Sequence, residues 1–491
     1  MITFNQPLSN LTPWVTSIPQ GLLDFTIQNI CFDSREVSQG DAFFVMPSVA
    51  GGEQAYIQKA IEQGAKLILA QSSCIQDMND SQVKFVAIDD PVEIAGNLIA
   101  GLLYQSALDL DVIGITGTNG KSSISFYVAQ LLSQLQNRCA VMGTLGYGHW
   151  QSLKPTGMTT LPSEKLHRAL LDLSREFKAV AMEVSSHGLE QNRLAGVKVD
   201  GAVFSNLTRD HLDYHGTMEA YGAAKALLFK REELKFAVIN ADDAYSKEIA
   251  SVSSVLPVSY GRSKSADLQF NITNIHESGL VVEFHWQQQQ QTIELPLFGE
   301  FNAENVAAAI LVCLQMGFDF NAILEACHAL QPVAGRMEQV KVNQQQPLVL
   351  VDYAHTPDAL EQILKSVREH VQTGRMHLVV GCGGDRDQGK RPLMGKIACQ
   401  FADNVFITSD NPRSENPMEI CKQMVTESKN NFVIEVDRQK AIMQAIEQAQ
   451  QQDVVIIAGK GHEDYQEVNG QRHHFSDVEE AQKSLQLENQ A

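Results

Sequence analysis

The sequence predicts an α/β protein of three domains, with parallel sheets covered by helices. Three observations lead there. The chain has 491 residues, where a domain typically holds roughly 100–200. Short apolar runs ending in polar or Gly-rich loops alternate with stretches of helical period, the pattern of strand–helix–strand units. One such loop, GTNGKS at 117–122, stands between an apolar strand and a long helix.

The first stretch, 1–107, reads as a small N-terminal domain. IQNICFDSREV and GDAFFVM suggest two strands around a polar turn, AYIQKAIEQGAKLILA a helix then a strand, and PVEIAGNLIAGLLYQ a helix. From 108 to 333, VIGIT, AVAMEV, DGAVFSNL and FAVIN are short and apolar throughout, as expected of strands buried on both faces of a parallel sheet. A third domain is expected over 334–491, where PLVLVDYAH, MHLVVGCGG, NVFITSD and DVVIIAGKG repeat the theme. Ligands of such sheets gather at the carboxyl ends of the strands, which is where the polar motifs fall. Three Gln-rich patches, Gln287 to Gln291, Gln344 to Gln346 and Gln450 to Gln452, lie between apolar segments and read as solvated turns or helix ends.

Composition narrows the partners. Hydrophobic residues make up 44% and aromatics 7%, ordinary for a globular protein, but 38 basic residues face 58 acidic ones, a net charge of −20. Such a surface repels phosphodiester backbones and anionic bilayers, so nucleic acid and membranes are not expected partners. The start, MITFNQPLSNLTPW, lacks the basic and apolar regions of a signal peptide, and no run of about 18 apolar residues occurs. Eight scattered cysteines without a CxxC pair point to reduced thiols and a cytoplasmic setting.

The loop Gly117-Thr118-Asn119-Gly120-Lys121-Ser122 has the context of a phosphate cradle. Its glycines let backbone N–H groups turn inward, Lys121 would reach the β- and γ-phosphates, and the Ser122 hydroxyl would ligate Mg²⁺. With Ile115 where the first glycine usually stands, it is a shortened form. Two further clusters stand at strand ends: Glu183, Ser185, Ser186 and His187, then Asp210, His211, Asp213 and His215. Mg²⁺ prefers oxygen donors, which Glu183 and Ser122 supply, while His211 could support a second metal position. The residues alone leave open a kinase or NTPase that moves phosphate to a hydroxyl or water.

The motifs GTNGK, EVSSHGL, SNLTRDHLDYHG, YGAAKALLF, LFGEFNAENVAAA, GRME and DYAHTPDAL, in that order, closely resemble those of the Mur ligases. These enzymes build the peptide stem of bacterial peptidoglycan, and so serve cell-wall biogenesis, shape and division. GGDRDQGKR, SDNPRSE and GKGHEDYQ resemble the members that join meso-2,6-diaminopimelate to the D-glutamate of UDP-N-acetylmuramoyl-L-alanyl-D-glutamate. The resemblance implies a UDP-binding domain at 1–107, an ATPase domain of the phosphate-loop type at 108–333 and a Rossmann-like amino-acid-binding domain at 334–491. It implies a cytoplasmic enzyme, acting as a monomer, with Mg²⁺ as cofactor and ATP as co-substrate.

By the same resemblance, Lys225 matches a carbamylated lysine, which with Ser122, Glu183 and His211 would hold metal. Lys121, Lys225, His211 and Glu183 would be the catalytic group. Gly117, Thr118, Asn119, Gly120, Lys121, Ser122, Ser123, Asn302, Asn305, Arg336 and Asp352 would bind ATP, the last two drawing the third domain over the second. Phe32 and Ser34 match contacts to the uridine diphosphate. Thr159, Thr160, Ser186, Gln191 and Arg193 match those to the muramoyl dipeptide. Met158 departs from the family, where Asn can precede the Thr pair. Arg386, Asp410, Asn411, Pro412, Arg413, Gly459 and Glu463 match the diaminopimelate pocket. Arg413 would grip the second carboxylate, which lysine lacks, and Glu463 would read the distal ammonium. The implied chemistry phosphorylates the donor carboxylate and lets the amine displace phosphate. EVSSHGL argues against a folylpolyglutamate synthetase on the same scaffold, and Arg413 against a lysine-adding relative.

Overall fold

The computed structural model describes residues 1–47, 51–104, 108–276, 279–340, 346–371, 373–425 and 432–488. Gln344 and Gln345 of the second Gln-rich patch lie outside them. So do residues 105–107, where the first expected domain boundary falls, and 48–50 in the stretch after Met46.

The chain forms two compact units: residues 1–114, 137–201 and 227–235 make the first, and 115–136, 202–226 and 236–491 the second. The strands Asp111–Thr116 and Gly201–Phe204 pass from one to the other.

In the first unit, a five-stranded sheet runs in chain order through Ile2–Pro7, Thr26–Cys31, Ala42–Phe44, Leu67–Ala70 and Lys84–Ala87. The first pair is antiparallel and the rest parallel. Two apolar layers cover it, one around Phe44, Leu67 and Leu98, the other around Phe43, Ile57 and Ile68. The helix Pro91–Leu103 starts where sequence chemistry says it should: Asp90 accepts the Glu93 N–H, and proline occupies the first turn. This unit also pairs Ala179–Glu183 with Cys139–Gly143 in parallel, and extends the latter by two antiparallel strands, Gly146–His149 and Ser152–Lys154.

In the second unit, Phe236–Asn240, Val258–Gly261 and Leu268–His276 run parallel. An antiparallel ribbon follows, Gly279–Trp286 and Gln289–Leu295. The all-parallel reading of 108–333 missed this ribbon. Its strands carry alternating apolar residues, the mark of a sheet with one solvated face. Gln287, with φ +56°, makes the turn, but Gln289 to Gln291 are strand residues facing solvent. Gln450 to Gln452 do form a turn after the helix Arg438–Glu447.

A six-stranded sheet completes this unit, in the order Glu338–Val340, Leu348–Asp352, Val454–Ala458, Met376–Cys382, Asn404–Ser409, Phe432–Ile434. It is parallel after its first pair. The central strands are wholly buried, as their unbroken apolar runs predict. Helices Pro357–His370 and Pro417–Met424 begin on capping residues, Thr356 and Asn416, each with proline in the first turn. The eight cysteines are free, seven buried and Cys74 half-buried. Among the described residues no helix is long and apolar enough to cross a membrane.

Candidate active site

The phosphate loop joins the strand Asp111–Thr116 to the helix Lys121–Gln134. Gly120 caps that helix in the left-handed region, φ +86°. A Cβ there would lie 2.5 Å from Asn305 Oδ1, so only glycine lets the loop lie this close to its neighbour. Asn206 fastens the loop by accepting the Thr118 N–H on its carbonyl (2.8 Å) and the Asn119 N–H on Oδ1 (2.9 Å). Lys121 folds back, donating to the carbonyls of Gly117 (2.9 Å) and Thr118 (2.8 Å). Ser122 and Ser123 are buried at the helix start, where unpaired N–H groups and the helix dipole favour anions.

Three expected residues converge on this loop. Lys225, 1% exposed, donates to the Gly117 carbonyl at 2.8 Å and sits 4.2 Å from the centre of the Tyr221 ring. Burial pushes its ammonium well below the usual lysine range, Lys121 adds to the effect, and Asp210 opposes it. Arg336 donates to the Ser122 hydroxyl at 3.3 Å, with its guanidinium stacked 4.3 Å over the Tyr353 ring. Asp352 fixes that arginine's loop by accepting the N–H groups of Met337 and Ala354, both at 2.7 Å.

His211 takes up a left-handed backbone, φ +53°. For a non-glycine residue this costs on the order of 1–3 kcal/mol and is a mark of functional sites. Burial lowers its pKa, with Asp210 working the other way at 3.4 Å. A neutral imidazole is the form that binds metal.

Asn302 and Asn305 part company. Asn302 uses its amide inside the protein, accepting from the Tyr127 hydroxyl (2.9 Å) and donating to the Phe298 carbonyl (2.7 Å). Asn305 lines a cavity of about 210 Å³ beside Gly120. Asn240, Phe301 and Glu304 share that wall. Sequence reading passed over them, although Asn240 ends the strand FAVIN, where a ligand contact is expected.

In the first unit the donor-side residues cluster. Thr160 Oγ1 donates to the Glu183 carbonyl (3.2 Å) and accepts the Ser185 N–H (2.9 Å), while the Arg193 guanidinium donates to the Thr160 carbonyl (2.6 Å) and to Gln191 Oε1 (2.7 Å). Met158, the family departure, lies with Sδ 3.8 Å from Arg193. Glu183, 2% exposed, accepts the Thr144 N–H (3.0 Å), and Thr144 in turn meets Thr159 (2.9 Å). Thr144 was missed; its position just after a strand was the available signal. Ser186 is buried in the short helix Ser186–Glu190, which Ser185 caps. Ser34 is buried at the end of the first sheet's second strand, and the Phe32 ring packs 5.3 Å from that of Phe44.

The remaining expected residues follow the carboxyl ends of strands of the last sheet. Asp410 and Asn411 follow one strand, Gly459 the adjoining turn, and Arg386 the Gly383-Gly384 loop. Arg413, φ +50°, is held by hairpin Tyr465–His474: its N–H donates to the Glu467 carbonyl (3.0 Å), and its carbonyl accepts the Asn469 N–H (2.8 Å). Its guanidinium donates to the Gly384 carbonyl at 2.7 Å. A Cβ on Gly384 would strike the Pro412 carbonyl, so the two loops meet backbone to backbone. Asn411 donates to Glu463 Oε2 at 2.8 Å. Glu463, Arg413 and the loop that bears Arg386 are thus joined through the Asn411–Arg413 loop.

Comparison with known proteins agrees with this geometry. Residues 115–313 match the model of the Mur ligase middle domain, and 335–461 that of the Mur ligase, glutamate ligase domain. The UDP-N-acetylmuramoyl-L-alanyl-D-glutamate--2,6-diaminopimelate ligase of Vibrio vulnificus (strain YJ016) is 43% identical, covering 97% of this chain and 97% of its own. A solved ligase of the same name shares 37% identity, with a TM-score of 0.72 over 99% of this chain and 100% of that one. The MurF ligase of Thermotoga maritima, solved with ADP, matches in fold alone, at 18% identity and a TM-score of 0.65, over 94% of this chain and 98% of its own. With such identity sustained from end to end, this chain belongs to the Mur ligases, a family of ATP-dependent, peptide-forming ligases.

Proposed function

We propose that this enzyme joins meso-2,6-diaminopimelate to the D-glutamate of UDP-N-acetylmuramoyl-L-alanyl-D-glutamate, with ATP cleaved to ADP and phosphate, in peptidoglycan precursor synthesis. The observation that carries the reading is the Asn411–Arg413 loop, which ties Asn411 to Glu463 and Arg413 to the Gly383-Gly384 turn that precedes Arg386. Diaminopimelate ends in a carboxylate and an ammonium. Guanidinium groups suit the first and a carboxylate the second. Residues 1–107, 108–333 and 334–491 would serve the UDP end, the nucleotide and the amino acid. The enzyme acts as a cytoplasmic monomer.

The donor carboxylate attacks the γ-phosphorus in line and ADP leaves; the diaminopimelate amine then attacks the acyl carbon, loses its proton and expels phosphate. Lys121 offsets charge on the γ-phosphate. Arg336, which donates to the Ser122 hydroxyl, would join it at the phosphates. Asn305 borders the adenine end, with Asp352 holding Arg336's loop. Phe32, Ser34, Thr159, Thr160, Ser186, Gln191 and Arg193 bind the donor.

The donor types suit magnesium: the second unit offers a buried hydroxyl on Ser122 and, in His211, an imidazole whose pKa burial lowers, and the first unit a buried carboxylate on Glu183. When bound, the ion neutralises phosphate charge. Lys225 joins this set by taking up CO₂: its neutral nitrogen forms a bond to carbon and releases a proton, turning an amine into an anionic ligand. Burial with a carbonyl and a ring as partners is what makes that nitrogen available.

The test is ADP release with ATP and the UDP-linked dipeptide, adding diaminopimelate, lysine or neither. Release only with diaminopimelate is expected. Equal rates with lysine, or release with no amino acid, would overturn the proposal.

A further inference from the structure

Lys460 belongs to none of the residue sets above, yet it follows Gly459, contacts Glu463 and is 0% exposed. The turn that buries it is unusual. Gly459 and Gly461, on either side, both adopt positive φ, +117° and +54°. A side chain at either would collide with its surroundings: a Cβ on Gly459 would lie 2.8 Å from Asp410 Oδ2, and one on Gly461 2.7 Å from the Gly335 carbonyl. The Gly-Lys-Gly sequence thus throws one long basic side chain inward where no ordinary turn would.

Burying an ammonium is costly unless it is paired and hydrogen-bonded. Here Nζ reaches Glu463 Oε2 at 3.1 Å and Asn411 Oδ1 at 3.3 Å, with Asp410 Oδ1 at 3.8 Å. Asn411 in turn donates from Nδ2 to the same Glu463 oxygen, and its Oδ1 also accepts the Glu467 N–H at 2.9 Å. Lysine, asparagine and glutamate therefore close a three-membered ring of hydrogen bonds. Both donors grip Oε2, and no hydrogen bond among the described residues engages Oε1.

Charge points the same way. Lys460 pairs with Glu463 at 3.1 Å and reaches Asp410 at 3.8 Å, and Arg438 acts on both acids as well. Without Lys460, Glu463 would lose its ion pair and one of the two donors that hold Oε2.

We propose that Lys460 is a positioning residue for acceptor specificity, holding Glu463 so that its free oxygen meets the distal ammonium of the amino-acid substrate. The inference rests on the diaminopimelate reading above. Its test is a double-mutant cycle on the full-length enzyme, with Lys460→Met, Glu463→Gln and the pair, measuring KM for diaminopimelate and for ATP separately. Lys460→Met should raise the KM for diaminopimelate by about 30-fold or more and leave the KM for ATP within about threefold. The pair should match Glu463→Gln alone within about threefold, because Lys460 would act through Glu463. Should Lys460→Met not fold, the neutral pair still decides, since it removes the Lys460 and Glu463 charges together and leaves Arg438 to act on Asp410. A diaminopimelate KM unchanged in Lys460→Met would overturn the proposal. So would a folded pair that binds diaminopimelate about tenfold or more worse than Glu463→Gln. If the unaltered enzyme does not use diaminopimelate at all, the functional reading fails instead.

Discussion

The loop 117–122 and the proposed acceptor site each bury a lysine at their side, and they surround it differently. Lys225 meets a carbonyl and a tyrosine ring. Lys460 meets Glu463, Asn411 and, farther off, Asp410. The acceptor side repeats its pattern twice. Arg391, 0% exposed, forms a bidentate pair with Glu415 (2.8 and 2.9 Å) and donates to the Gly383 carbonyl (3.1 Å), tying the Arg386 loop to the Arg413 loop. Arg438 is paired with Asp477, both oxygens at 2.7 Å, and donates to the Ala458 carbonyl (3.0 Å) just before Gly459. A buried cation beside a carboxylate is scaffolding. One left with neutral partners is driven toward the free amine and becomes a reagent.

The largest effect expected from this contrast is at Lys225. Lys225→Met should lower ligation by about 10³-fold or more, as loss of a charged group at the reaction centre does. Its thermal midpoint should hold or rise, because an apolar side chain of similar size replaces a buried amine that lacks an acid partner. A variant that ligates normally, or that unfolds early, would erase the distinction between the two lysines.

Asp477→Asn should do the reverse. It leaves Arg438 buried without its counter-charge and should cost about 3–5 kcal/mol in urea unfolding. Arg438→Met with Asp477→Leu should recover most of that. A loss below about 1 kcal/mol in the single variant would mean that the pair is not scaffolding.

The smallest effect concerns His462, which lies between Arg336 and Lys460. Burial first, then those two cations, hold its pKa down at about 3. The folded protein keeps it uncharged while the unfolded chain takes up a proton below about 6.5. Its contribution to stability is therefore complete above pH 6.5 and lost as pH falls toward 3. His462→Phe should flatten the acid limb of a stability–pH curve; an unchanged limb would show that other groups govern it.

How much of this was legible beforehand follows from sequence distance. Gly117 to Ser122 are contiguous, and the strand–helix turn they form was legible from their spacing. The buried strands declared themselves because each is one apolar run. Thr144 is tied to Glu183, 39 residues away, and Arg438 to Asp477, also 39 away, so neither partner's own neighbourhood reveals the pair. The antiparallel ribbon from Leu268 to Leu295 was overlooked because its polar face made Gln289 to Gln291 look like loop. Lys460 was hidden in plain view, since a lysine between two glycines reads as a surface turn until their positive φ angles turn it inward.

In the proposed reaction a carboxylate is activated by phosphorylation before the amine attacks. The direct measurement uses donor substrate labelled with ¹⁸O in the D-glutamate carboxylate and follows the label by mass spectrometry during turnover with ATP and diaminopimelate. One labelled oxygen should appear in the released phosphate for each peptide bond formed. Phosphate without label, alongside peptide product made at the usual rate, would contradict the acyl phosphate and the account with it.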